Sequence, residues 1–311
     1  MIKAYVFEKG EPTVVNLDNV VLNRNVLWVN VVNPNKEEIK SLEKKFKLTS
    51  ITINNCLDPQ ERPRVDNKDK QSVIIFKTPV IKDKHVRSSS IGIIISKHYL
   101  ITIQSSKVNI FAKLIKSLDH KLIKNQGYNY LLSHLLLSIT RDFFTILDDM
   151  DEMVDKLENK ILLPGITKIP LDKVFIAKKT LLYFKKALLT NRDVLMDLEK
   201  GVSPYVSKIA MDGLVRENLQ LVDMEELLRG RLSETYNLYL TDISNNLNVN
   251  QKYFAVIAAL FLLPMLISGA YGMNFKVLPL ALHNYGFWII IGVMLVSMAI
   301  MLISFKKKEW I

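Results

Sequence analysis

Two uncharged apolar runs near the C-terminal end constrain this chain more than any other feature. One extends from Tyr253 to Phe275 and the other from Tyr285 to Phe305. A helix crosses the hydrocarbon core of a bilayer with roughly 20 apolar residues, so each run predicts a spanning helix. About ten residues separate them, too few for a folded domain. At the junction stands Tyr271-Gly272-Met273-Asn274. A short loop that opens with Gly-Met-Asn and joins two spans predicts the mouth of a pore, with the remaining chain on one side of the membrane.

Charge orients the spans. Lys252 precedes the first, while Lys306, Lys307 and Lys308 follow the second; the loop between them offers only Lys276 and His283. Lysine accumulates on the cytoplasmic side, so both termini are expected there, with Gly272-Met273-Asn274 on the outer face. The net charge of +11 raises nucleic acid as a partner, but the basic residues are scattered and no recognised nucleic-acid motif accompanies them. Anionic lipid headgroups are the simpler partner for the C-terminal lysines. A mean hydropathy of +0.14 averages a charged soluble part and an apolar tail. Met1-Ile2-Lys3-Ala4-Tyr5-Val6 lacks the long apolar stretch of a signal peptide, so the soluble part is expected to stay inside. The single cysteine, Cys56, fits a reducing cytosol and reads as a structural thiol.

The first hundred or so residues read as α/β. Strand-like runs rich in Val, Ile, Phe and Tyr occur at residues 2–7, 26–32, 72–78, 91–95 and 99–104. Asn35 is a candidate N-cap for a helix with Ile39, Leu42 and Phe46 on one face. Asp58-Pro59 and Arg62-Pro63 punctuate an irregular connection. From about Val108 the character becomes helical: an amphipathic segment over 110–122, then a long one over 128–163 ending at Pro164-Gly165, and another over about 171–200. The first long helix carries Asp148, Asp149, Asp151, Glu152, Asp155 and Glu158; the second carries Lys178, Lys179, Lys185 and Lys186. This acidic and basic pair reads either as a helical hairpin with solvated faces or as a device that concentrates divalent cations near the pore. A third helical stretch begins near Pro204 and runs into the first span, about 100 Å if unbroken. Such a helix suits a stalk bundled from several subunits, since two spans alone cannot enclose a water-filled path. No phosphate loop, nucleophile elbow or paired catalytic carboxylates emerge, and the five histidines show no metal-ligand spacing. An enzyme is not expected.

The signature Tyr271-Gly272-Met273-Asn274-Phe275, a second span, and the terminal Phe305-Lys306-Lys307-Lys308-Glu309-Trp310 resemble the CorA family of magnesium channels. Trp28-Val29-Asn30, Glu61-Arg62-Pro63-Arg64-Val65 and Ser244-Asn245 with Asn248 resemble further stretches of that family. The resemblance covers essentially the whole chain. It implies an α+β cytoplasmic domain with long stalk helices and two transmembrane α-helices, assembled as a homopentameric funnel. It divides the chain into an α/β domain (1–107), a helical region (108–203), a stalk (204–252), the first span with its motif (253–275), an outer loop (276–284), the second span (285–305) and a basic tail (306–311). The expected activity is uptake of magnesium, with cobalt and nickel as further candidates, across the plasma membrane. Magnesium is then cargo and regulator, and no organic cofactor is expected. The alternatives are a zinc transporter of the ZntB type and a non-conducting membrane-anchored sensor or scaffold.

The motif's chemistry can be argued independently. Magnesium dehydrates reluctantly, so a filter does best to hold the ion with its waters on. Asn274 offers a neutral carbonyl oxygen, and five copies form a ring that accepts hydrogen bonds from those waters. Ending a helix at Gly272 turns its last carbonyls towards the cation, and glycine suits that turn because it can take a positive φ. Met273 is expected to fill the loop. Counting back from Asn274, the family's pore-lining positions fall on Gly269, Met265, Leu262, Ala258, Phe254, Gln251 and Asn248. Pro264 lies one residue later than the family's usual proline, which leaves the middle of that register open by one. Lys252, Lys306, Lys307 and Lys308 are expected to form a basic ring near the inner end.

Departures bear on regulation. The outer loop has Leu278-Pro279-Leu280-Ala281 where the family often has acids. The family's paired acids before the Arg-Pro segment, one of which joins an intersubunit magnesium site, become Asn54 and Asn55, and the acid supplied across that interface falls near Gly213, beside Asp212. An inner-pore acid becomes Asn237. Asparagine lacks the charge a hard dication favours, so Asp212 is the remaining candidate for a regulatory cation.

Overall fold

The computed structural model describes residues 1–8, 11–17, 20, 26–68, 70–82, 85–105, 114–115, 117–161, 169–274, 276, 278–280, 282–308 and 310. Among them are seven strands in one sheet: β1 (Ile2–Glu8), β2 (Glu11–Val15), β3 (Val26–Val32), β4 (Arg64–Lys68), β5 (Gln71–Lys82), β6 (His85–Ser96) and β7 (Leu100–Gln104), in the order β2-β1-β3-β7-β6-β5-β4. Only β3 and β7 run parallel, with Trp28 opposite Leu100; the other neighbours are antiparallel. Both faces are covered, and side chains alternate between them as a pleated strand requires.

On one face, Val29, Val31, Ile75, Ile94, Ile101 and Ile103 pack with Leu42 and Phe46 of α1 (Lys36–Phe46) and with Ile53 and Cys56 of α2 (Ser50–Leu57). Asn35 caps α1 in a full capping box: its side chain accepts from the Glu38 N–H, and Glu38 accepts from the Asn35 N–H. The approach of α2 to the sheet is very close. A methyl group at Gly92 would lie 2.3 Å from the Cys56 Cβ, so β6 needs glycine there. Burial drives the Cys56 thiol pKa up to about 12, which leaves it an inert part of the core.

The opposite face buries Trp28, Ile74, Phe76, Ile91 and Ile93. Two long helices cover it, α4 (Tyr128–Ile161) and α5 (Leu171–Lys200), with short α3 (His120–Gln126) before them. Phe143 and Phe184 meet edge to face between the two helices, centroids 4.9 Å apart. Strand β4 stops opposite Ile75, so β5 has a bare edge beyond it. Asn191 of α5 closes that edge: its amide oxygen accepts from the Lys77 N–H (2.7 Å) and its nitrogen donates to the Lys77 carbonyl (2.8 Å). The Pro164-Gly165 break and residues 110–113 of the expected amphipathic segment lie outside the described residues.

A single 64-residue helix follows, α6 (Lys208–Tyr271), and then α7 (Gly286–Lys307). Pro204 lies in the turn before α6, and Pro264 is carried inside the helix. Two compact units result, one ending at Thr235 and the other beginning at Tyr236. Among the described residues, three helices are long and apolar enough to cross a membrane: α4, α6 and α7. In α4 the most apolar window is 44% buried, because Leu131, Leu135, Ile139 and Phe143 serve the core. In α6 and α7 it is 6% buried, so their apolar surface faces outward along most of its length. At 1.5 Å per residue α7 is about 33 Å long, matched to a hydrocarbon core of about 30 Å.

Candidate functional site

The second unit holds the motif. Helix α6 closes with the Gly272 N–H donating to the Ser268 carbonyl (2.9 Å) and the Met273 N–H to the Ala270 carbonyl (3.4 Å). Gly272 is not in the left-handed region, contrary to the sequence argument. What it supplies is room: a Cβ there would press on the Ser268 carbonyl oxygen at 3.3 Å. Met273 and Asn274 follow outside the helix, both exposed, so Met273 does not fill the loop within a single chain.

The described part of the loop is held by contacts that the sequence does not advertise. The Tyr271 hydroxyl donates to the Pro279 carbonyl (3.1 Å), tying the motif to the loop. Leu280 adopts a positive φ of 62°, unusual for a branched side chain. The His283 N–H donates to the Leu280 carbonyl (3.1 Å), and the Gly286 N–H donates to the His283 carbonyl (2.8 Å). Gly286 is buried, and a methyl on it would lie 2.0 Å from the Leu280 carbonyl oxygen. Glycine is therefore obligatory where α7 begins. Tyr285, Phe287 and Trp288 stand exposed at this end of α7, an aromatic belt of the kind that seats at a membrane interface.

The family-derived lining positions of α6 can be placed by rotation. At about 100° per residue, Phe254, Ala258, Leu262, Met265 and Gly269 fall within roughly 80° of one another. All five are exposed, as are Gln251 and Asn248. Val256 is buried, and Ala259, Leu260, Leu263, Pro264, Ile267 and Tyr271 are half-buried. Their mean direction is about 180° from that of the first set. The helix thus has one side partly covered within the second unit and an opposite side left open, which ends at Gly272-Met273-Asn274.

At the other end of the spans the chain closes on itself. Trp310 stacks on Phe305 with centroids 5.9 Å apart, and the Trp310 N–H donates to the Phe305 carbonyl (3.0 Å). The Lys252 ammonium lies 5.9 Å from the centre of the Trp310 ring. Lys306, Lys307 and Lys308 are exposed, Lys252 half-buried.

Within the first unit, the acids of α4 meet an arginine. Arg231 of α6 donates to Asp151 and Asp155 (each 2.5 Å) and to Glu158 (2.6 Å), and Thr235 donates to the same Glu158 (3.2 Å). Those hydrogen bonds, led by that of Glu158, hold the Arg231 guanidinium firmly protonated. Three acids of the run are thus engaged in a helix-to-helix bridge. Asp212 pairs with Arg216 one turn along α6. With its amide oxygen turned towards Arg64, Asn55 accepts from that guanidinium and donates to the Ile51 carbonyl, each at 3.2 Å. Arg64 also binds Glu61 and Asp66. No group of three or more His, Cys, Asp or Glu among the described residues is placed to hold a metal.

A family model described as CorA-like Mg2+ transporter protein matches residues 23–307. The cobalt/magnesium transport protein CorA of Methanocaldococcus jannaschii is 33% identical over 292 residues, covering 92% of each chain. That of Thermotoga maritima is 25% identical, covering 91% of this chain and 83% of its own. The complete structure of the CorA magnesium transporter from Methanocaldococcus jannaschii superposes with a TM-score of 0.87 at 30% identity, covering 100% of this chain and 99% of that one.

Proposed function

The chain belongs to the family of CorA-like Mg2+ transporter proteins, and on that premise we propose that it is a divalent-cation channel, with magnesium as the principal cargo. It sits in the plasma membrane with both termini cytoplasmic and works as a homopentamer, since two spans per subunit cannot enclose a path alone. The observation that carries this reading is the open side of α6: Phe254, Ala258, Leu262, Met265 and Gly269 share one exposed direction that terminates at Gly272-Met273-Asn274. Five such sides turned towards a common axis line a path.

Each part has a distinct task. The Asn274 amide oxygens accept hydrogen bonds from the waters of a hydrated cation, so the ion enters without losing its shell. The carbonyls at the end of α6 add the negative end of the helix dipole. Phe254, Leu262 and Met265 form apolar rings that close by dewetting when they narrow. The membrane potential drives the ion inwards with about 4.6 kcal/mol for a dication at 100 mV. Feedback by internal magnesium is weak, because Asn55 is turned to Arg64 and Asp212 to Arg216.

Flux into proteoliposomes tests the reading. A negative-inside potential should drive magnesium entry that is collapsed by dissipating the potential, with zinc a poor competitor. Zinc entry that excludes magnesium would replace the magnesium assignment, and absence of any divalent flux would overturn the channel.

A further inference from the structure

A cavity of about 210 Å³ lies within the first unit, between β6 and α5, and the function just proposed makes no use of it. Ile176, Lys179, Thr180 and Tyr183 line it at the i, i+3, i+4 and i+7 spacing of one helix face, with Phe175 beside them. Arg87 faces them from β6. Alternate residues of a strand point the same way, so Arg87 shares the side of β6 that carries Ile91 and Ile93, the side that α5 covers. The lining contains two cations and no acid. Both cations are exposed, and among the described residues no carboxylate lies within ion-pair distance of either. Thr180 is only 5% exposed, yet its hydroxyl has no hydrogen-bond partner among the described residues. A threonine inside a helix ordinarily donates to the carbonyl one turn back, as Thr140, Thr190 and Thr235 do here. The Tyr183 hydroxyl is likewise unengaged among the described residues. Two cations and two hydroxyls thus converge on an apolar slot with nothing to bind.

We propose that this cavity binds a phosphate monoester, with the headgroup between Arg87 and Lys179 and the organic body against Phe175 and Ile176. The guanidinium fork donates to two phosphate oxygens, and the ammonium adds a point charge. The Thr180 and Tyr183 hydroxyls donate to the oxygens that remain. Two cations match the nearly double charge of a phosphate monoester at neutral pH, whereas a carboxylate would neutralise only one. The volume is below the roughly 300 Å³ at which pockets for whole drug-sized ligands begin. It therefore takes the headgroup and one ring or a short chain, and a larger body projects outward. Nucleoside monophosphates and single-chain phospholipids both carry this chemistry. Either occupant bridges β6 and α5 and stabilises the folded unit by mass action.

The test is isothermal titration calorimetry of the full-length protein in detergent, at neutral pH with chelator present. The probes are phenyl phosphate, hexyl phosphate, AMP and inorganic phosphate. Phenyl phosphate should bind once per chain and about tenfold or more tighter than inorganic phosphate, because its ring is removed from water. Arg87→Gln and Lys179→Gln should each weaken it by about tenfold, the cost of losing one charged hydrogen-bond donor. Both side chains are exposed, so these variants should melt with the wild type in the absence of probe. Phe175→Ala should weaken phenyl phosphate while leaving inorganic phosphate unchanged, which separates the apolar contact from the charged one. AMP binding tighter than hexyl phosphate supports the site as one for nucleotides, and the reverse order supports it as one for a lipid headgroup. Failure of every organic probe to bind more tightly than inorganic phosphate overturns the proposal. So does binding that survives the Arg87→Gln/Lys179→Gln pair unchanged, which would place the probe elsewhere.

Discussion

Replacing Arg231 with methionine removes the cation that holds three carboxylates of α4 to α6. Asp151, Asp155 and Glu158 are spaced one turn apart and stay 39%, 56% and 34% exposed, with Arg231 at 28%. Pairs this exposed contribute about 0.2–1 kcal/mol each after screening. Their loss, together with a few tenths for each like-charge neighbour left on the helix, puts the cost at about 2 kcal/mol. For a unit of this size that lowers the melting temperature by about 4–8 °C. The three freed carboxylates then form a cluster that a dication can neutralise. With a Kd of about 1 mM, typical of a weak oxygen site, 10 mM magnesium would restore about 1.4 kcal/mol, most of the loss. Thermal unfolding of the full-length protein in detergent, with chelator and with magnesium, measures both effects. An Arg231→Met protein that melts with the wild type, or whose magnesium response is no larger, would refute the account of this bridge.

Gly286→Ala forces a methyl into the Leu280 carbonyl, a contact between backbone atoms with no flexible partner to yield; it should cost about 1–3 kcal/mol and lower cation flux by displacing the loop tied to Tyr271, while an assembled, fully conducting variant would show the loop is not needed in this form. Glu225 is fully buried on α6 with both carboxylate oxygens lacking a hydrogen-bond donor, and desolvation raises its pKa above the ordinary 4.5 despite Arg229 and Lys185. The folded state thus holds this proton more tightly, so the site's stability is intact below about 4.5 and is lost as pH rises through the raised value. Glu225→Gln should therefore stabilise the protein increasingly as pH rises from about 4.5 through the raised value and level off above it, and a pH-independent difference would contradict that sign. Cysteine placed at Leu282, which is fully exposed, should react with an impermeant reagent in intact cells and cysteine at Lys308 should not; the native Cys56 is buried and protonated and stays silent. The opposite labelling pattern would invert the topology.

What the sequence revealed and what it hid follow a physical division. Helix α5 and strand β3 are legible to the residue, since a Gly201 cap ends one and a run apolar except for Asn30 makes the other. The unforeseen strands β2 and β4 are the two edges of the sheet. Edges are where proline and polar residues are tolerated, and Glu11-Pro12-Thr13 and Arg64-Val65-Asp66 conceal any alternation. Helix α2 was hidden by its composition: Ser50-Ile51-Thr52-Ile53 has little helix propensity, and the Thr49 cap with burial of Ile53 and Cys56 overrides it. The Gly-Met-Asn motif is visible in the sequence because three adjacent residues carry it. Gly286, Leu280 and the Arg231 bridge are not, because each depends on which segment folds back to meet it. Charge patterning could show acids on one helix and lysines on the next, but it could not show that Asp151, Asp155 and Glu158 would turn to a single arginine eighty residues on.

The central claim is that rings of Asn274 oxygens select the hydrated ion at the end of α6. Magnesium flux into proteoliposomes by Asn274→Ala, compared with wild type after cross-linking has shown that both form the same pentamer, tests it most directly. Removing the five amide oxygens should abolish divalent entry while leaving assembly and melting temperature unchanged, since Asn274 is exposed and its truncation opens no cavity. Robust magnesium entry through a correctly assembled Asn274→Ala pentamer would contradict the account.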